Sequence, residues 1–85
     1  MNREQFLRKV AARYPDGEVL ATATVLWEGW ELDNYVAAVR QRGQVRLVTT
    51  DHGSVVETEA HLVRDAVRRH EQATASCREL LEQLS

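Results

Sequence analysis

Apolar side chains recur at helical spacing at both ends of this chain and gather in β-branched or alternating runs through its middle. Near the start, Phe6, Leu7, Val10, Ala11 and Tyr14 share one side of a helical wheel. Arg3, Arg8, Lys9 and Arg13 take much of the remainder, which predicts a first helix over Asn2 to Tyr14. Pro15-Asp16-Gly17 stops it, because proline disfavours helix at the residue before it and Asp-Gly supplies turn chemistry.

From Glu18 to Trp27, Val19, Thr22, Thr24 and Val25 accumulate with Leu20 and Leu26 between them, which suits a strand. Glu28-Gly29 is a compact turn, and Trp30 to Arg40 alternates imperfectly but reads as a second strand returning antiparallel to the first. Arg42-Gly43 closes the next hairpin. Val45, Leu47 and Thr49 alternate with Arg46, Val48 and Thr50 as a third strand, which ends at Asp51-His52-Gly53-Ser54. Val55 and Val56 either extend a strand or enter the last helix. Ser54 with Glu57 resembles a capping box and Thr58 is a competing cap, so the helix boundary is set near Glu57.

The segment from Glu57 to Leu84 has no glycine or proline, and Val63, Ala66, His70, Ala73, Cys77, Leu80 and Leu84 follow a 3-4 spacing. Val67, Thr74 and Leu81 widen that stripe. The expected fold is α+β in the order α-β-β-β-α: a three-stranded antiparallel meander packed against an N-terminal helix and a long C-terminal helix. The chain, 1–85, is expected to form a single domain, since 85 residues are too few for two cores.

A helix of that length reaches roughly 40 Å at ~1.5 Å per residue, whereas a chain of this size folds into a body about 30 Å across. The C-terminal helix is therefore expected to overhang its own domain. Its stripe then needs cover, which a second copy supplies most simply. The expected homodimer interface comprises Val63, His70, Ala73, Cys77, Leu80, Leu81 and Leu84.

Composition refines this picture only at the margins. No apolar run approaches the ~18–20 residues of a bilayer crossing, and Asn2, Arg3, Glu4 and Gln5 do not open a signal segment. With Cys77 the only cysteine, no internal disulfide forms, which suits a reducing, cytoplasmic setting. The Arg- and Ala-rich composition points to a bacterial or phage source. The net charge of −2 conceals a gradient, with the first 14 residues at +3 and the remainder acidic.

Candidate chemistry is sparse. His61 and His70 lie on opposite sides of a helix, and His70 and Cys77 lie roughly 10 Å apart along it, so no metal site is expected within one chain. Asp51-His52-Gly53-Ser54 has the residue types of a catalytic triad, but triad members converge from separate elements and neighbours in a tight turn point apart. The glycines at 17, 29, 43 and 53 are scattered at turns rather than gathered into a phosphate loop. Neither enzymatic activity nor a cofactor is expected.

The hairpin ends are more informative. Trp27, Trp30, Glu31 and Asp33 mark one end of the meander, and Arg40, Arg42 and Arg46 mark the other. Tryptophan and arginine often dominate protein interfaces, so these residues are the expected partner-binding set. The expectation is a small protein-binding module of inhibitor type, such as an anti-CRISPR or other phage-encoded defence blocker, an immunity protein or an antitoxin. The alternative is a nucleic-acid-binding protein using Arg3, Arg8, Lys9 and Arg13 with the arginine hairpin.

Overall fold

A computed structural model describes residues 1–85. The element order is α1 (Arg3–Arg13), β1 (Glu18–Val25), β2 (Asn34–Gln41), β3 (Gln44–Asp51), β4 (Ser54–Thr58) and α2 (Ala60–Leu84). The strands form one open antiparallel sheet in the order β1-β2-β3-β4. The class is α+β as expected, but the meander has four strands rather than three.

The fourth strand has a local cause. His52 and Gly53 have φ of 50° and 81°, matching Arg42 and Gly43 at 53° and 76°. Left-handed geometry at both central residues is what a two-residue hairpin requires, because its twist then matches that of the strands. The chain therefore reverses at His52-Gly53 and pairs Asp51 with Ser54 and Thr49 with Val56. Val55 and Val56, stiff at χ1, settle in extended backbone. Ser54 belongs to that hairpin and does not cap α2. The cap position is Glu59, which makes no side-chain capping bond. The reciprocal capping box stands at the other end of the chain, where Asn2 and Gln5 close the start of α1.

β1 ends at Val25 and β2 begins only at Asn34, so the tryptophans lie in a loop rather than at strand ends. Within it the Trp30 N–H donates to the Trp27 carbonyl at 3.0 Å, and Gly29 takes φ 80°.

The two helices cover opposite faces of the sheet. α1 lays Phe6, Val10 and the following Tyr14 against Ala37, Val39 and Val48, with the Phe6 and Tyr35 rings stacked at 5.8 Å. Val25, Val36 and Ala66 form the second cluster beneath α2, with Val63 and Val67 packed on it. β2 contributes Ala37 and Val39 to one face and Val36 to the other, which explains why its sequence alternates so poorly. Gly17 lets the chain pass closely under β2: a Cβ there would meet Val39 Cγ1 at 2.7 Å.

β2 and β3 pair from Gln41↔Gln44 to Ala37↔Val48 and no further. Beyond that point a buried side-chain network holds them together. Asn34 Nδ2 donates to the Thr50 carbonyl at 3.0 Å and to Thr49 Oγ1 at 3.3 Å. Its Oδ1 accepts from the Tyr35 N–H at 2.8 Å and from Thr50 Oγ1 at 3.2 Å. Buried polar groups this well satisfied specify one register.

Candidate functional site

α2 is attached to the body through its first half only. The Leu26 N–H donates to the Ala66 carbonyl at 3.0 Å, and Arg69 Nη1 donates to the Leu26 carbonyl at 2.9 Å. One turn of helix thus holds both backbone groups of a loop residue. His70 Nδ1 stands 3.1 Å from Asp33 Oδ1 and ties the end of the same loop to the helix. Beyond it, only Thr74 remains half-buried.

The remainder of α2 projects from the body, giving a molecule of 50 × 24 × 22 Å. Leu80, Leu81 and Leu84 are 60%, 66% and 75% exposed, and Ala73 and Cys77 are exposed beside them. The expected interface residues therefore divide. Val63 and His70 are engaged within the chain, whereas Ala73, Cys77, Leu80, Leu81 and Leu84 form a bare stripe on the projecting tail.

The partner-binding set also divides. Trp27 is half-buried against the α2-side cluster and Trp30 is exposed. Glu31 is exposed, and Asp33 is occupied by His70. At the other end, register places Arg40 opposite Glu18 and Arg46 opposite Val39, so these two arginines extend from opposite faces of the sheet. Arg40 approaches Glu18 at 3.8 Å. Arg46 bonds Glu57, and that hydrogen bond and charge raise its guanidinium above the ordinary arginine range. Only Arg42, at the turn, is without an acidic partner, so the three do not form one cationic patch.

The basic residues of α1 are similarly committed. Arg3 donates to Thr22 Oγ1 at 2.7 Å, Arg8 pairs with Glu4 and Lys9 donates to the Gly53 carbonyl at 2.6 Å. Arg13 lies over the Tyr14 ring at 5.2 Å. The Asp51-His52-Gly53-Ser54 run is a hairpin tip with its side chains in solvent. No group of three His, Cys, Asp or Glu side chains converges as a metal site would require, and no helix is long and apolar enough to cross a membrane.

One surface was not foreseen. Trp27 and Trp30 line an open groove of about 390 Å³ together with Val56, Leu62, Glu28 and Asp51. Reading Val56 as a possible helix residue hid it. Pairing Val56 with Thr49 instead places it on the α2 side of the sheet, beside the tryptophan loop. Comparison with protein families, characterised proteins and solved structures finds no match for this chain.

Proposed function

We propose that this chain is a non-enzymatic protein-interaction module that pairs with itself through the α2 tail and acts by covering the surface of a partner protein. That mode of action belongs to inhibitor-type proteins: immunity proteins, antitoxins and phage-encoded blockers of host defence such as anti-CRISPRs. The observation that carries this reading is the bare apolar stripe of Ala73, Cys77, Leu80, Leu81 and Leu84 beyond the last contact of α2 with the body. A contiguous exposed stripe of this kind is uncommon in a monomer. The single exposed cysteine suits a cytoplasmic setting.

The stripe favours one arrangement of two copies. With the tails antiparallel and centred between Arg78 and Glu79, Ala73 meets Leu84 of the second copy and Cys77 meets Leu80. Each small side chain then faces a large one, as close helix packing prefers. Thr74, Ser76 and Gln83, which flank the seam, are uncharged, so no like charges oppose one another.

Covering each exposed leucine contributes about 1–2 kcal/mol, so the leucines of two copies contribute roughly 6–12 kcal/mol. Association costs about 4–15 kcal/mol in lost freedom. The balance supports a dimer that dissociates on dilution through the micromolar range.

Sedimentation velocity across a concentration series tests this reading. The wild-type protein is expected to shift from monomer to dimer, and Leu80→Glu with Leu84→Glu to remain monomeric with an unchanged circular dichroism spectrum. A monomer at every concentration would refute self-association. The nucleic-acid reading gains no support from the α1 cations, which are spread around the helix and engaged within the chain.

A further inference from the structure

α2 crosses the sheet over β1 and β2 and leaves the β4 side of the same face open. There Val56 and Thr58 pair with Thr49 and Leu47 of β3, the first turns of α2 present Leu62, and the loop before β2 brings Trp27 and Trp30 to one end. Trp30, Val56 and Leu62 are 44%, 38% and 47% exposed, so an apolar floor stands in water.

The charges around this floor are of one sign. No arginine, lysine or histidine lines the groove, whereas Glu28 and Asp51 do. Glu28 has no basic partner, and Asp51 has only the solvent-exposed His52, at 3.6 Å. Glu57 also borders the groove, but its carboxylate is bonded to Arg46. The nearest cations on α2 are spoken for, Arg69 by the Leu26 carbonyl and His61 by Glu59. Tryptophan faces beside unpaired carboxylates attract a cation twice over, through the ring quadrupole and through charge.

The backbone beside the groove is also open. In the hairpin closed by Asp51 and Ser54, alternation makes Ser54, Val56 and Thr58 the residues that bond β3. Val55 and Glu57 then direct their N–H and C=O groups to the free edge. β1, the opposite edge, is interrupted by an irregularity between Val19 and Ala21. β4 has no such break, no lysine and no proline, the usual protections of an exposed edge.

We propose that an extended, positively charged segment of a partner protein adds to the β4 edge, bonding Val55 and Glu57 through its backbone and lodging alternate lysine or arginine side chains in the groove. The inference rests on the interaction-module reading and names the partner chemistry for its tryptophan surface. Strand addition provides affinity through main-chain bonds and specificity through every second side chain. The charge preference is specific to this face. Lys9 and Arg13 flank β4 on the α1 side, so the intervening side chains of the segment are uncharged or acidic.

Trp27 and Trp30 are the only tryptophans, so intrinsic fluorescence reports on the groove alone. Two synthetic hexapeptides serve as probes, one alternating lysine with valine and one alternating glutamate with valine. The lysine peptide is expected to change tryptophan emission and to slow amide exchange at Val55 and Glu57, with at least ten-fold tighter binding than the glutamate peptide. Trp30→Ala is expected to weaken binding of the lysine peptide at least ten-fold, and Glu28→Lys with Asp51→Lys to invert the preference, both variants retaining the wild-type melting profile. Equal response to both peptides, no response to either, or a preference indifferent to charge reversal would overturn the proposal. Concentration-dependent dimerisation persisting in any of these cases would leave the self-association reading intact and remove only this one.

Discussion

Arg69 and Leu26 hold the long helix to the body of the molecule. The guanidinium donates to the Leu26 carbonyl at 2.9 Å, while the Leu26 N–H donates to the Ala66 carbonyl one turn earlier at 3.0 Å. Leu26 is the first residue after β1, where sheet pairing ends and its backbone groups need other partners. Arg69→Ala leaves that carbonyl without its charged donor and is expected to destabilise the fold by about 1.5–3 kcal/mol. The corresponding fall in Tm is roughly 6–20 °C. Arg68→Ala, on the exposed side of the same turn, is expected to leave Tm within about 2 °C. Thermal melts of the two variants provide the comparison.

The Asn34 amide replaces the missing backbone ladder between β2 and β3. Asn34→Leu removes every bond of that amide and leaves the Thr50 carbonyl and Tyr35 N–H to be satisfied elsewhere. A loss of about 2–3 kcal/mol is expected by urea unfolding. Asn34→Asp keeps the acceptor but loses the donor to Thr50, and is expected to be destabilised as well.

Arg42 and His52 occupy left-handed backbone at φ 53° and 50°. Asparagine tolerates that conformation better than most side chains, because it bonds locally to the backbone. Arg42→Asn is expected to stabilise the protein by about 0.5–1 kcal/mol, seen as a higher midpoint in urea with an unchanged slope.

These hairpins also show how far the fold was legible. Arg42-Gly43 and His52-Gly53 carry the same signal, a residue able to enter left-handed backbone followed by glycine. The first was read as a hairpin. The second was read as the end of a strand because Ser54 and Glu57 imitate a helix cap. Local capping patterns do not compete with cross-strand pairing, and Val48 and Val55, both within the α1-side core, are what decide the outcome. The helices were legible because α1 and α2 each present a periodic apolar face. β2 was less so, since burial on both faces erases alternation.

The candidate surfaces were legible to a lesser degree. Overhang of α2 followed from length, and Leu80, Leu81 and Leu84 are bare. Periodicity alone gave no means of distinguishing Val63 and His70, which continue the same stripe but meet Val25, Val36 and Asp33 within the chain. That distinction depends on where the sheet ends beneath the helix. The arginine hairpin looked like a single patch because the positions of its residues in sequence hide the alternation of faces that separates Arg40 from Arg46.

Self-association through the α2 tail is tested most directly by a distance between copies. A spin label at His61→Cys, in a Cys77→Ser background, lies on the first turn of α2, far from the proposed seam. Antiparallel tails centred between Arg78 and Glu79 place the two labels about 50 Å apart along the helices at 1.5 Å per residue. A distance near 50 Å, growing in amplitude with concentration and lost on Leu80→Glu with Leu84→Glu, is the predicted result. Labels within about 20 Å of one another would contradict the antiparallel register, and no distance between copies at any concentration would contradict self-association itself.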